Sequence, residues 1–282
     1  MIIVTKKILL CCSLDHAILS NHAVLETSKS IQLLHRLARR PEIILVYASG
    51  ISLALMRQAI QQFNIPVPDY AMSDVATTLY QVKDREWRLI PQWVDEFEKD
   101  WSGRSRLELA TLLADYQQIR LQEPEKQNNY KLSYYAHPHI DYHTLINETI
   151  LRFTTYNIQV SVMWSIDRTL DLGLLDILPA SATRRHALDY LMKLTNIVEE
   201  RVVYAGDSGN DLPVLTSGLQ VILGRNTEPE LCAEVERRLG LIGALDKRYV
   251  AEGCLFEMNG NDCAGMIEGA VHFLPEVLDW LE

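Results

Sequence analysis

The chain has 282 residues, of which 48% are apolar and 23% charged, enough to bury a large core in one domain or in a domain with an insert. Its net charge of −10 and isoelectric point near 5.3 argue against nucleic acid and anionic membrane surfaces as main partners, because the average surface repels both. Five scattered cysteines (Cys11, Cys12, Cys232, Cys254 and Cys263) form no C-x-x-C pair, which suits free thiols in a reducing cytoplasm.

Apolar periodicity sets out the elements in order. Ile8–Cys12 reads as a buried strand, and Ala23–Arg39 as a helix with Ile31, Leu34, Leu37 and Ala38 at helical spacing. The run before Cys11 is too short for a signal sequence, and no apolar run reaches the roughly 18 residues of a membrane span. Glu42–Gly50 is a second strand and Ile51–Phe63 an amphipathic helix; Tyr70–Ser73 and Thr77–Val82 are short strands. This β-α-β-α-β order predicts a doubly wound parallel sheet with helices on both faces. From 84 to 165 the pattern changes. "PQWVDEFEKDW" and "RLELATLLADYQQI" read as helices, "YKLSYYA" as a strand, "HIDYHTLINETILRF" as a helix and "IQVSVMW" as a strand. That mixture predicts an α+β cap inserted at 84–165 in a core of 1–83 and 166–282. The α/β rhythm then resumes with "GLLDILP", "TRRHALDYLMKL", the strand and helix of "RVVYAGDSGNDLPVL", "LQVIL", a helix at Glu228–Leu239, a strand at Tyr249–Ala251 and a closing helix at Ala264–Leu281.

Candidate chemistry gathers at the strand ends, where open α/β sheets hold ligands. In Tyr204–Leu215, Gly206 lets the chain turn, and Asp207, Asn210 and Asp211 crowd the end of a strand. Two carboxylates on such a loop suit a hard, oxygen-ligated cation such as Mg²⁺; a plain turn with a helix cap is the simpler alternative. Asp15 stands after the first strand. Ser49 and Gly50 end the second with a hydroxyl and a backbone N–H suited to a phosphate oxygen. Arg184 and Arg185 open a helix where the dipole prefers anions, so a bound anion would explain them; a solvated surface is the simpler alternative. His137, His139 and His143 read as the polar start of a cap helix rather than a zinc cluster, since no further ligand accompanies them. Trp87, Trp93 and Trp101 read as core or interface residues, Arg36, Arg39 and Arg40 as favourable charges at a helix C-terminus, and Cys12 as bordering the pocket.

The loop "GDSGND", with "VYASG", "PDYAMSDVATTLY", "YKLSYY", "LLDILP" and "CAGMIEGAVHF", resembles the haloacid dehalogenase-like (HAD) phosphatases over nearly the whole chain. More closely it resembles sucrose-phosphate phosphatases and the related domain of sucrose-phosphate synthases. The resemblance implies a Rossmann-like core with an inserted cap, a Mg²⁺ cofactor, and a sugar phosphate such as sucrose 6-phosphate as ligand. It implies metal ligation by Asp207, Asp211 and Asp15, phosphate contacts from Ser49, Gly50, Arg184 and Asn210, and sugar contacts from Lys131, Ser133 and Tyr134 in the cap.

In that family the first motif reads Asp-x-Asp-x-Thr, with a nucleophile followed by a general acid/base. The aligned positions here hold Ser13, Asp15 and Ala17, and the basic third motif falls on Arg184 in place of Lys. A carboxylate attacks without a base at neutral pH, whereas a serine hydroxyl needs one, which Asp15 would have to supply. These departures predict a phosphatase-like domain with weak or no activity that binds a sugar phosphate or acts with a sucrose-phosphate synthase. Two alternatives stay open: an active Mg²⁺-dependent sugar-phosphate phosphatase, and a structural or oligomerisation module with a vestigial pocket.

Overall fold

The computed structural model describes residues 7–14, 24–167 and 170–282, with backbone alone for 24–27. The expectations placed on Asp15 and Ala17 lie outside the described residues. The first strand, β1 (Ile8–Ser13), is buried at every position and occupies the middle of an eight-stranded sheet. A strand covered on both faces reads as a continuous apolar run, and Ile8–Cys12 does. Helix α1 (Val24–Ala38) leads to β2 (Ile43–Ala48), and α2 (Leu53–Gln62) to β3 (Tyr70–Ser73). These strands are parallel. On the other side of β1 lie β10 (Val202–Ala205), β11 (Gln220–Leu223) and β12 (Arg248–Val250), also parallel. The chain therefore winds outward from β1 in both directions, and the switch point falls at the C-terminal ends of β1 and β10.

Alternate side chains feed two layers. Ile8, Leu10, Cys12 and Leu14 meet residues of α1, α2, α9 (Asp262–Phe273) and α10 (Glu276–Leu281). Leu9 and Cys11 meet the layer of α6 (Arg184–Thr195), α7 (Leu212–Leu215) and α8 (Pro229–Leu241), with Trp93 of α3 (Gln92–Asp95). Cys12 is fully buried on the face away from Tyr204 and so does not border the site. All five cysteines are free thiols, and no described helix is long and apolar enough to cross a membrane.

Sheet membership divides the chain differently from the expected boundaries. The hairpin of β4 (Thr78–Lys83) and β5 (Glu86–Leu89) extends the large sheet with antiparallel pairing past residue 84. The smaller sheet runs β6 (Ile119–Leu121), β7 (Leu132–Ala136), β9 (Leu172–Pro179), β8 (Val160–Asp167). Thus "GLLDILP", expected in the core, is a central cap strand. Its apolar run is explained equally well by burial in an antiparallel sheet, so periodicity alone does not assign it. The small sheet packs on α4 (Arg106–Thr111) and α5 (Tyr142–Thr154) through Leu109, Leu145 and Phe153.

Three predicted helices are shorter than their patterns, and in "PQWVDEFEKDW" only α3 and a 3-10 turn at Glu98–Trp101 form. In "RLELATLLADYQQI", α4 ends at Thr111, where Arg152 donates to the Leu112 carbonyl at 3.0 Å and pairs with Asp115. The C-terminal helix breaks at Leu274–Pro275 into α9 and α10. Helix α9 is buried through Cys263–Ala270, because it lies between α1 and the sheet. Gly269 permits that approach: a Cβ there would stand 2.5 Å from Cγ1 of Ile222 on β11. Gly269→Ala is accordingly expected to destabilise the chain by about 2 kcal/mol through overpacking, read as a lowered urea midpoint. An unchanged midpoint would show that α9 can withdraw at no cost.

Candidate active site

Three strand ends and one helix start build the site. Ser13 closes β1 and is fully buried, on the same sheet face as Leu9 and Cys11. Arg184, the first residue of α6 after the Thr183 cap, is 2% exposed and donates to Ser13 Oγ at 3.0 Å. The same Nη1 makes a short ion pair with Asp211, whose side chain is fully buried. Asp211 ends the turn after β10. It also accepts from the Tyr204 hydroxyl, the Ser208 hydroxyl at 2.6 Å, and the backbone amides of Asp207 and Ser208 at 3.2 and 3.0 Å. Burial alone would raise its pKa, but the Arg184 charge and these donors outweigh that and hold the carboxyl below its ordinary value. Gly206 makes the packing feasible, since a Cβ there would meet Asp211 Cγ at 2.7 Å and Tyr204 Cε1 at 2.8 Å.

The anion that explains Arg184 at a helix start is thus part of the chain. Arg185, its neighbour, instead pairs with Asp189 at 2.9 Å and Glu199 at 3.4 Å. Asn210 lies half-buried in the turn between Asp207 and Asp211. Sequence reasoning missed Tyr204 and Ser208. A tyrosine in an otherwise apolar central strand was the available signal, because a buried phenol hydroxyl needs a partner.

A second polar cluster joins cap to core. Ser49 is fully buried, and its Oγ accepts from the Ile51 amide at 3.2 Å. Lys131, 8% exposed, reaches the Gly50 carbonyl at 3.4 Å. Asn128 donates to Thr77 Oγ1 at 2.8 Å, and Ser133 makes a short hydrogen bond to Asp176 on β9. Asp74 faces Lys131; burial raises its pKa, and the lysine charge offsets part of the rise. Its backbone is left-handed, as are Val75 and Ala76, at φ 52°, 59° and 67°. Such a run costs on the order of 1–2 kcal/mol per residue and is held by hydrogen bonds to Ser49 and Ile51. Lys131 and Ser133 therefore come together near Ser49 and Gly50. Tyr134 does not: alternation along β7 sends it into the cap interior, where burial pushes its phenol up to about 12. Asp74 and Asp176 were not anticipated.

Of the expected metal ligands, Asp207 is half-buried in the turn after β10 and Asp15 lies outside the described residues. Asp211 spends both carboxylate oxygens on Arg184, Tyr204, Ser208 and two amides. Ser13 offers a neutral hydroxyl, and no group of three or more His, Cys, Asp or Glu among the described residues could hold a metal ion.

Removing one partner of a buried ion pair leaves an uncompensated charge. Arg184→Met is expected to cost about 3–5 kcal/mol in urea unfolding, and the double variant Arg184→Met/Asp211→Leu less than that single change. A double variant as unstable as the single would overturn this assignment. Because Asp211 has a depressed folded pKa, its contribution is fully present above the ordinary carboxylate value and is lost as the pH falls through the folded one. The stability gap between wild type and Asp211→Asn should therefore narrow on acidification.

Comparison with known proteins agrees with this architecture. The model of the sucrose-6F-phosphate phosphohydrolase family matches residues 6–274. A Nitrosococcus oceani protein named as a HAD-like hydrolase is 46% identical over 277 residues, covering 98% of this chain and 74% of that protein. A glucosylglycerol-phosphate synthase of Pseudomonas anguilliseptica is 24% identical over 86% of this chain, which spans only 28% of that longer protein. The solved Synechocystis sucrose-phosphatase, in complex with sucrose and phosphate, shares the fold at a TM-score of 0.75 and 23% identity, over 95% of this chain and 98% of its own. The chain belongs to the sucrose-6F-phosphate phosphohydrolase family of HAD-like hydrolases.

Proposed function

We propose that this chain is a sucrose-phosphatase-like HAD domain with a degenerate first motif, hydrolysing phosphomonoesters weakly or not at all while binding a sugar phosphate. The observation that carries this reading is the hydrogen bond from Arg184 to Ser13 beside the Asp211 ion pair. Ser13 closes β1 at the switch point, where the family's attacking carboxylate is expected. A serine hydroxyl must lose its proton to attack phosphorus. The described side chain that contacts it is a guanidinium, which donates hydrogen bonds and cannot accept a proton. Attack would also leave a seryl phosphate, an ordinary ester far less labile than an acyl phosphate. Phosphoryl transfer relies on positioning and on charge stabilisation at the reacting oxygens, and at position 13 a metal would meet a neutral hydroxyl in place of the family's carboxylate. The Mg²⁺ requirement general to HAD phosphatases is therefore weakened here.

Binding does not need the nucleophile. Ser49, the Gly50 amide and Asn210 offer neutral contacts to phosphate. Lys131 and Ser133 bring cap groups to the same place for the sugar. Arg184 pairs with Asp211 through Nη1, so a contact to phosphate from another of its N–H donors need not break that pair. The sucrose-phosphatase complex with sucrose and phosphate supports a sugar phosphate as ligand. The match to part of a longer phosphosugar synthase supports action together with a sucrose-phosphate synthase.

Phosphate release from sucrose 6-phosphate with Mg²⁺ tests the reading. Wild type is expected near background. Ser13→Asp combined with Ala17→Thr and Arg184→Lys is expected to gain at least about a hundredfold, equivalent to nearly 3 kcal/mol of barrier. Brisk wild-type turnover would instead establish an active phosphatase. Calorimetry with the same phosphosugar should show binding to wild type, and the absence of heat would favour a vestigial pocket.

A further inference from the structure

A large groove lies away from the site just described. It is an open cavity of about 1050 Å³ between α1, α2 and the β4–β5 hairpin. Topology places it at the opposite end of the sheet. The ends of α1 and α2 precede β2 and β3, and the Asp84–Arg85 turn lies beyond the pairing of Gln81 with Tyr70, at the start of β3. Ala38, Ile60, Ile65, Pro66 and Trp87 provide apolar lining, and Val67, 48% exposed, adds to it.

Arg39, Arg57 and Arg85, from three different elements, line the same groove and are exposed. None pairs with a carboxylate among the described residues. The acidic neighbours Glu42 and Glu86 are engaged by Arg40 and Arg88. A run of unneutralised arginines is unexpected on a chain of net charge −10. Arg85 also occupies the second position of a two-residue hairpin turn, left-handed at φ 64°, where glycine is favoured. The chain thus accepts local strain to present a guanidinium at the groove.

We infer that this groove docks an acidic amphipathic segment of a partner protein. Its apolar floor takes the apolar face of such a segment, and the arginines meet its carboxylates. A compact phosphate ligand fits less well. Helices α1 and α2 turn their carbonyl ends toward this end of the sheet, and helix C-termini disfavour concentrated negative charge. The arginines are spread over separate elements rather than converging on one buried point. The inference is independent of whether the distant site hydrolyses anything.

The test is fluorescence anisotropy of a labelled amphipathic peptide of Glu, Ala and Leu, titrated with the full chain at low salt. Wild type should bind it, and the same peptide with Lys for Glu should not bind. Arg39→Ala/Arg57→Ala/Arg85→Ala should weaken binding by at least about tenfold, in keeping with the loss of three exposed charge pairs. Val67→Asp should weaken it as well. Both variants alter exposed side chains and should keep the wild-type thermal midpoint. Equal binding by the triple variant, or equal binding of the Lys peptide, would overturn the inference. So would inorganic tripolyphosphate binding through the three arginines while the acidic peptide fails to bind, which would make the groove a small-anion site.

Discussion

The buried ion pair between Arg184 and Asp211 organises the switch-point end of the sheet. Each charge would cost several kcal/mol, at the order-of-magnitude level, if taken out of water alone. The protein meets that cost by surrounding Asp211 with two hydroxyl groups and two backbone amides and by placing Ser13 against Arg184. The pair ties the start of α6 to the turn after β10 and to the end of β1. Three segments far apart in sequence are held in one geometry. Gly206 has to be glycine because the Asp211 carboxylate and the Tyr204 ring come so close.

The same pair underlies the reading proposed for the family's site in this chain. With a carboxylate at position 13, Arg184 would stand between two acids and share its charge. With serine there, Asp211 is its ion-pair partner among the described residues. A phosphate group arriving at the strand ends would meet Arg184 with an internal anion already well placed against it. Phosphoryl transfer needs positive charge available to the transferring oxygens, and the proposed loss of activity follows from how far Asp211 already claims that charge.

The cap meets this end of the core through groups of a different kind. Lys131 and Asn128 reach across to Gly50 and Thr77, and Tyr130 stands between Phe97 and Trp101, with ring centroids 5.2 and 5.6 Å away. The strained left-handed run at Asp74–Ala76 is part of that contact. Strain of this sort persists where surrounding hydrogen bonds over-determine the backbone, and here they come from the loop that carries Ser49.

The sequence by itself determined the doubly wound core, because the central parallel strands β1 and β2 are buried on both faces and must be written as unbroken apolar runs. It also determined the acidic turn after β10 and the substitution of Ser13, both matters of local residue type. It did not assign "LLDILP" to the cap, since an apolar run suits a central strand of either sheet. Nor did it reveal the partner of Arg184. A basic residue at a helix start calls for an anion, but whether that anion is a ligand or Asp211 depends on contacts across 27 residues of chain. The same holds for Tyr134, whose resemblance-based role in the cap gave way to the alternation of β7 that points it inward. Residue chemistry is local and legible in order along the chain. Which groups neutralise one another is set by the register of strands and the packing of helices, and only the tertiary structure decided it.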